Sequence, residues 1–195
     1  MKDFGEKTRK ILREAADNFN LISKDVILLK SVARAAELII SSLRSGRKVI
    51  TAGNGGSAAD AQHMVAELVG KFSGERKPLK AVALTVNTST ITALANDYDF
   101  EQVFARQIDA IGEESDVFIG ITTSGMSKNV ISALKKAKEK GLATIGLLGR
   151  DGGEAKELCD IPIVVPNNST PRIQEAHIMI IHALCELIDE SFKEE

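Results

Sequence analysis

The sequence predicts an α/β domain in which helices cover both faces of a five-stranded parallel sheet. Three observations carry that expectation. Five short runs of β-branched or aliphatic residues are each followed by a turn and a helix-like segment, the alternation that builds a parallel sheet between helical layers. Two helical patterns precede the first run and a long one follows the last. The chain has 195 residues, 44% of them hydrophobic, enough to bury the core of one domain without staples.

In chain order, the first element is a helix whose apolar positions are Phe4, Ile11, Leu12, Ala15, Ala16 and Phe19. A second periodic run extends from Val26 to Leu43 and stops at Gly46, so residues 1–46 form an N-terminal helical segment. The strands are predicted in KVITAG (48–53), AVALTV (81–86), DVFIGIT (116–122), ATIGLLG (143–149) and IPIVVP (161–166), which gives a parallel core over 47–168. VISALKKAKEK reads as a helix closed by Gly141, because glycine accepts the left-handed backbone of a helix C-terminus. DGGEAKELCD leaves room for only a short helix. The last segment, 169–195, opens at Thr170-Pro171, with Thr170 as N-cap and Pro171 at the first helical position, and runs as helix to about Glu190. The leading helices and the terminal helix are expected to lie outside the central wound unit. Without repeats, linkers or low-complexity tracts, 1–195 reads as a single domain.

Charge and cysteine usage exclude several function classes. A formal net charge of -2 with interspersed signs offers no basic field for nucleic acid, so an anionic ligand must be held locally. Cys159 and Cys185 show no CxxC or CxxH spacing and read as free buried thiols of a reducing compartment. MKDFGEKTRK lacks the apolar stretch of a signal peptide, and no apolar run approaches the ~20 residues of a bilayer span. A cytoplasmic protein with no membrane partner is expected.

In an open parallel sheet, ligands bind beyond the carboxyl ends of the strands. Two loops there are chemically unusual. Gly53-Asn54-Gly55-Gly56-Ser57 joins a strand to a helix that Ser57 can cap, and its N–H groups can turn toward an anion or a sugar oxygen. From Gly53 to Ala58 it also matches GxGxxA, yet AVALTVNTST offers no acidic residue for a ribose, and no Lys-Ser/Thr pair makes it a P-loop. A plain tight turn remains open. In TTSGMSKNV, Thr122, Thr123, Ser124 and Ser127 place four hydroxyls around one glycine at the positive end of a helix, which suits a phosphate monoester. Ordinary capping and turn chemistry is the alternative.

His63 and Glu67 are four apart and share a helix face. Within MVAELV, desolvation is expected to raise the Glu67 pKa toward that of a working base, unless the two form a solvated pair. On the terminal helix, Gln174 and His182 align on one face and His177 points elsewhere, which suggests a site or else satisfied core groups.

The stretches AGNGGSAADAQHMVAEL, ANDYDFEQVFARQ, ITTSGMSKNVISALKKAKEKG and TPRIQEAHIMIIHALCELID resemble the sugar isomerase (SIS) domain family, in particular its phosphoheptose isomerase branch, over nearly the whole chain. The resemblance implies a three-layer flavodoxin-like fold and an aldose–ketose isomerase. Its substrate would be sedoheptulose 7-phosphate, converted through an enediol to D-glycero-D-manno-heptose 7-phosphate, the first step of ADP/GDP-heptose biosynthesis for lipopolysaccharide, a surface layer or a capsule. By the same resemblance Glu67 is the base and His182 the acid. Asn54, Gly55, Gly56, Ser57, Glu67, Asn96, Asp97, Thr122, Thr123, Ser124, Ser127 and Gln174 would contact substrate. One zinc per subunit would be held by His63, Glu67, Gln174 and His182, with Glu67 serving as ligand and base in different states. A homotetramer with sites completed across subunits is implied too, in line with leading helices rich in Ala, Leu and Ile.

The residues agree with that chemistry, since moving a proton between adjacent carbons needs one base at the carbons and one acid near the oxygens. Zinc, with imidazole and carboxylate ligands, would polarise the carbonyl. Two positions depart from the family pattern: Thr122 where relatives often have Ser, and Pro171 where some have Asp. The rival reading is a non-catalytic relative, either a sugar-phosphate sensor or a replication-initiator partner. Such members typically lack the glutamate and the terminal-helix histidine that are both present here as Glu67 and His182.

Overall fold

Residues 3–193 are described by the structure, a computed structural model. Five parallel strands, β1 (Val49–Gly53), β2 (Ala81–Ala83), β3 (Val117–Thr122), β4 (Ala143–Gly149) and β5 (Ile161–Val165), lie in the order β2-β1-β3-β4-β5. Successive side chains leave the sheet on opposite faces, so Val117, Ile119 and Ile121 enter one apolar cluster and Phe118 the other. The inner strands β1, β3 and β4 are buried on both faces almost throughout, as a doubly covered parallel sheet requires.

Among the described residues eight α-helices surround it: α1 (Phe4–Ile22), α2 (Val26–Arg44), α3 (Gly56–Val69), α4 (Thr88–Asp97), α5 (Ala105–Ile111), α6 (Lys128–Glu139), α7 (Ala155–Leu158) and α8 (Thr170–Phe192). The start signals of the first two are plain in the sequence: Asp3 accepts from the Glu6 N–H at 3.1 Å, and Asp25 from those of Ile27 and Leu28 at 3.0 Å. Gly141, at φ +74°, closes α6 as predicted. The α2, α3 and α8 side chains cover one face, while α5, α6 and α7 cover the other. Thus α2 and α8 belong to a sheet-covering layer and are not outside the wound unit; of the leading pair only α1 stands off, because just Asn18 and Ile22 of α1 are buried. Phe4, Leu12, Leu21, Val26 and Ile27 are left exposed.

Three boundaries differ from expectation. β2 ends at Ala83, although the Leu84 N–H still donates to the Thr51 carbonyl oxygen at 2.9 Å; Leu84–Val86 turn toward α4, which starts where Asn87 accepts from the Thr90 N–H at 3.0 Å. The N-cap of α8 is Ser169, with Thr170 already helical, and the helix continues to Phe192. Ser57 does not cap α3, whose N-cap is Gly55. Both cysteines are free, and burial pushes both thiols up to about 12, which leaves them protonated and inert. Among the described residues no helix is long and apolar enough to cross a membrane.

Candidate active site

β1 and β3 are neighbours, yet the chain leaves β1 toward β2 on one side and reaches β3 on the other. That reversal opens a crevice beyond their carboxyl ends, the position where open α/β sheets hold ligands. The glycine turn follows β1 and the hydroxyl loop follows β3, side by side, with Gly53 in register with Ile121. A reciprocal amide pair joins them: Asn54 Nδ2 donates to Asn129 Oδ1 at 2.8 Å and Asn129 Nδ2 to Asn54 Oδ1 at 2.9 Å. Asn129, buried in the first turn of α6, was not read from the sequence.

Close approach explains the glycines. A Cβ on Gly53 would lie 2.5 Å from the Ser57 carbonyl oxygen, and one on Gly56 would lie 2.5 Å from Gln174 Nε2. Gly55 adopts φ +57°, a left-handed value that glycine reaches at no steric cost. The turn therefore lets α8 bring Gln174 onto the start of α3. Ser57 is packed beneath Gly53 and only 3% exposed.

In the second loop Thr122 Oγ1 is 3.0 Å from Ser127 Oγ and 3.5 Å from Ser124 Oγ, and the Met126 N–H donates to Ser124 Oγ at 3.1 Å. Ser127 is the N-cap residue of α6 but makes no side-chain cap bond. Its hydroxyl is turned into the cluster, which leaves the N–H groups of the α6 terminus open to an anion. Thr123 is half-buried in the same turn.

The third group spans α3 and α8. His63 Nε2 lies 3.1 Å from Glu67 Oε1 and 3.3 Å from His182 Nε2, and the two imidazole centroids are 5.1 Å apart. Phe72 packs on the other side of His182, with centroids 5.6 Å apart. The donor and acceptor roles across the His63–His182 contact depend on the ring tautomers. The burial expected for Glu67 is only partial: its side chain is 24% exposed, because its apolar neighbours Met64 and Leu68 face the core. His177 lies apart from this group, fully buried, its Nε2 3.0 Å from the Leu148 carbonyl oxygen. Asn96 and Asp97 are exposed at the end of α4 and bonded to each other at 2.9 Å, with no hydrogen bond to the His63 group among the described residues.

Asp60 is a further side chain that the sequence reading passed over. It lies one turn before His63 on the same face as Glu67, a periodicity that could have revealed it. Burial pushes its carboxyl up to about 6, against the lowering pull of His63, and its Oδ2 is buried without a hydrogen-bond partner.

Imidazole, carboxylate and amide donors suit zinc chemically. As arranged, though, no group of three or more His, Cys, Asp or Glu side chains among the described residues is placed to hold a metal ion.

Comparison with known proteins finds phosphoheptose isomerases among the relatives of the chain. The SIS domain profile matches residues 12–149. The phosphoheptose isomerase of Clostridium acetobutylicum is 50% identical over 190 residues, covering 97% of this chain and 95% of that protein. The solved structure of phosphoheptose isomerase GmhA from Neisseria gonorrhoeae aligns with a TM-score of 0.90 at 43% identity, over 96% of this chain and 99% of that one. A phosphoheptose isomerase structure from Francisella tularensis aligns at 0.92 with 37% identity, over 97% and 100%.

Proposed function

The chain belongs to the SIS domain family, and from that premise we propose that it is a phosphoheptose isomerase, converting sedoheptulose 7-phosphate to D-glycero-D-manno-heptose 7-phosphate through an enediol, ahead of heptose activation. The observation that supports this best is the row of Glu67, His63 and His182 beside two ligand loops at the switch point of the sheet. Thr122, Thr123, Ser124 and Ser127, with the amides that open α6, bind the phosphate; Asn54, Gly55, Gly56, Ser57 and Gln174 form the floor for the sugar. Glu67 removes the proton from one carbon of the carbonyl–carbinol pair and returns it to the other. His182 gives and takes the proton at the oxygens. His63, with Nε2 3.1 Å from Glu67 Oε1 and 3.3 Å from His182 Nε2, holds the carboxylate in place and can pass charge toward His182.

Zinc held by His63, Glu67, Gln174 and His182 is a separate part of the reading. Bound there it would polarise the carbonyl, and none of the proton transfers above runs through it. Zinc content near one equivalent per subunit after dialysis, removed by chelation, would support it; retention of less than about a tenth of an equivalent at micromolar zinc would end it.

We also place the protein in the cytoplasm as a homotetramer, in which the exposed apolar residues of α1 and the start of α2 are covered and Asn96 and Asp97 reach a neighbouring subunit's site. Light scattering at micromolar concentration should return four times the 21.0 kDa chain mass. A monomer mass would refute this.

The decisive experiment incubates the purified protein with sedoheptulose 7-phosphate in D2O and follows the sugar by NMR. An aldose product carrying solvent deuterium at C1 or C2 is expected. Substrate binding without turnover or exchange would return the chain to a non-catalytic sugar-phosphate module.

A further inference from the structure

The loop that leaves α3 carries a buried ion pair that the reaction above does not use. The Arg76 side chain is 1% exposed and that of Asp189, on α8, 0%. Arg76 Nε donates to Asp189 Oδ1. Its other nitrogens turn back on α3: Nη2 donates to the carbonyl oxygen of Glu67 at 2.7 Å, and Nη1 to those of Leu68 at 2.9 Å and Lys77 at 3.0 Å. The last carbonyls of a helix have no partner within it, and a cation there also meets the negative end of the helix dipole. Arg76 therefore closes the turn of α3 that carries the base, through the base's own peptide group.

Asp189 extends the connection. Its Oδ2 accepts from the N–H groups of Ser73 at 2.9 Å and Gly74 at 3.3 Å. Burial acts to raise its carboxyl, but the Ser73 N–H, the Arg76 guanidinium and the Gly74 N–H hold it below the usual carboxylate range, so the pair is ionised. Asp189 lies about two turns beyond His182 on α8. The same loop presses the Phe72 ring against His182. One segment thus grips the end of the helix that bears Glu67, the ring of His182 and the helix that bears it.

We propose that Arg76 and Asp189 are positioning residues that set the distance between Glu67 on α3 and His182 on α8. A buried ion pair is a weak source of net stability, since apolar replacements of similar volume are often neutral or better, but it fixes geometry strictly. Arginine is required here because its planar fork reaches a carboxylate and several carbonyls at once, which a lysine ammonium cannot do.

This inference rests on the isomerase reading, and its test separates the two. In the full-length protein, Arg76→Lys and the apolar double variant Arg76→Met/Asp189→Leu are compared with wild type. With the fold retained by circular dichroism, kcat should fall roughly 10- to 100-fold, the scale of a displacement near 1 Å. KM should stay within about threefold, because the phosphate loop between β3 and α6 is held by other contacts. Without substrate, amide exchange over residues 66–70 should accelerate at least about tenfold and the ring signals of His63 and His182 should shift. A folded double variant with kcat within about twofold of wild type overturns the proposal, and so does loss of the fold in both variants, which would make the pair structural. If wild type neither isomerises nor exchanges substrate protons, the isomerase reading fails, while amide exchange and the histidine signals still decide whether the pair positions the two helices.

Discussion

On α8, His177 is enclosed by the core with Nε2 3.0 Å from the Leu148 carbonyl, whereas His182 stands at the open edge of the site with Nε2 3.3 Å from His63. Burial drives His177 down to about 4, so its ring stays neutral at physiological pH and fastens α8 to the end of β4. The helix face alone separates them. A residue type that invites catalytic interpretation becomes a structural bracket when turned by part of a turn, and only the side facing α3 can meet a ligand.

Replacing the residues of the open side breaks this comparison most severely. Glu67→Gln keeps size but removes the proton acceptor, and turnover should drop by at least ~10² to 10⁴. His182→Asn should be similarly severe. His177→Asn should leave kcat of the folded protein within a few-fold while lowering the unfolding midpoint. Wild-type rates and exchange in Glu67→Gln would reduce the α3 face to a ligand platform.

Next in size is the phosphate loop. Ser124→Ala with Ser127→Ala removes two hydroxyls whose loss costs about 1–3 kcal/mol each in a desolvated site, so KM should rise steeply with the fold intact. An unchanged KM would move the phosphate elsewhere.

The buried histidine gives a pH test of smaller size. Its folded pKa of about 4 lies below the unfolded 6.5, so between those values the unfolded chain binds a proton that the folded one refuses. Stability is complete above 6.5 and falls as pH drops through that window, by about 3 kcal/mol in all. Urea midpoints at pH 7 and 4.5 should differ less in His177→Gln than in wild type; equal slopes would show that His177 is protonated in the native state.

The smallest effect is expected at Asn129. Asn129→Ala removes the amide pair to Asn54 but no phosphate hydroxyl, and a loss near 1 kcal/mol in substrate affinity, read as KM, is anticipated. A loss as large as that of the serine double variant would mean that the two loops act as one unit.

The sheet was legible because its five aliphatic runs stand clear of the helical patterns between them. Boundaries were less so. Leu84–Val86 continues the aliphatic run of β2, and nothing short of the Asn87 cap shows that the chain has left the sheet. Ser57 and Thr170 have the right chemistry for caps, but capping is decided by backbone angles, which gave the task to Gly55 and Ser169. The meeting of His63 with Glu67 follows from helical spacing, and His182 joins them through packing of α3 on α8. Asn129 and Arg76 could not be read, since their partners Asn54 and Asp189 lie 75 and 113 residues away.

The strand order also sets a timetable for synthesis. β3 lies at the centre of the sheet, but its neighbour β1 and the edge strand β2 are both made before it, and α8 is made after every strand. Until α8 leaves the ribosome, Gly56 has no Gln174 against it, Arg76 has no carboxylate, and the apolar residues of β4 and β5 that α8 shields are open to chaperones. A nascent chain at that stage holds both loops at the ends of β1 and β3 but neither Gln174 nor His182 of α8.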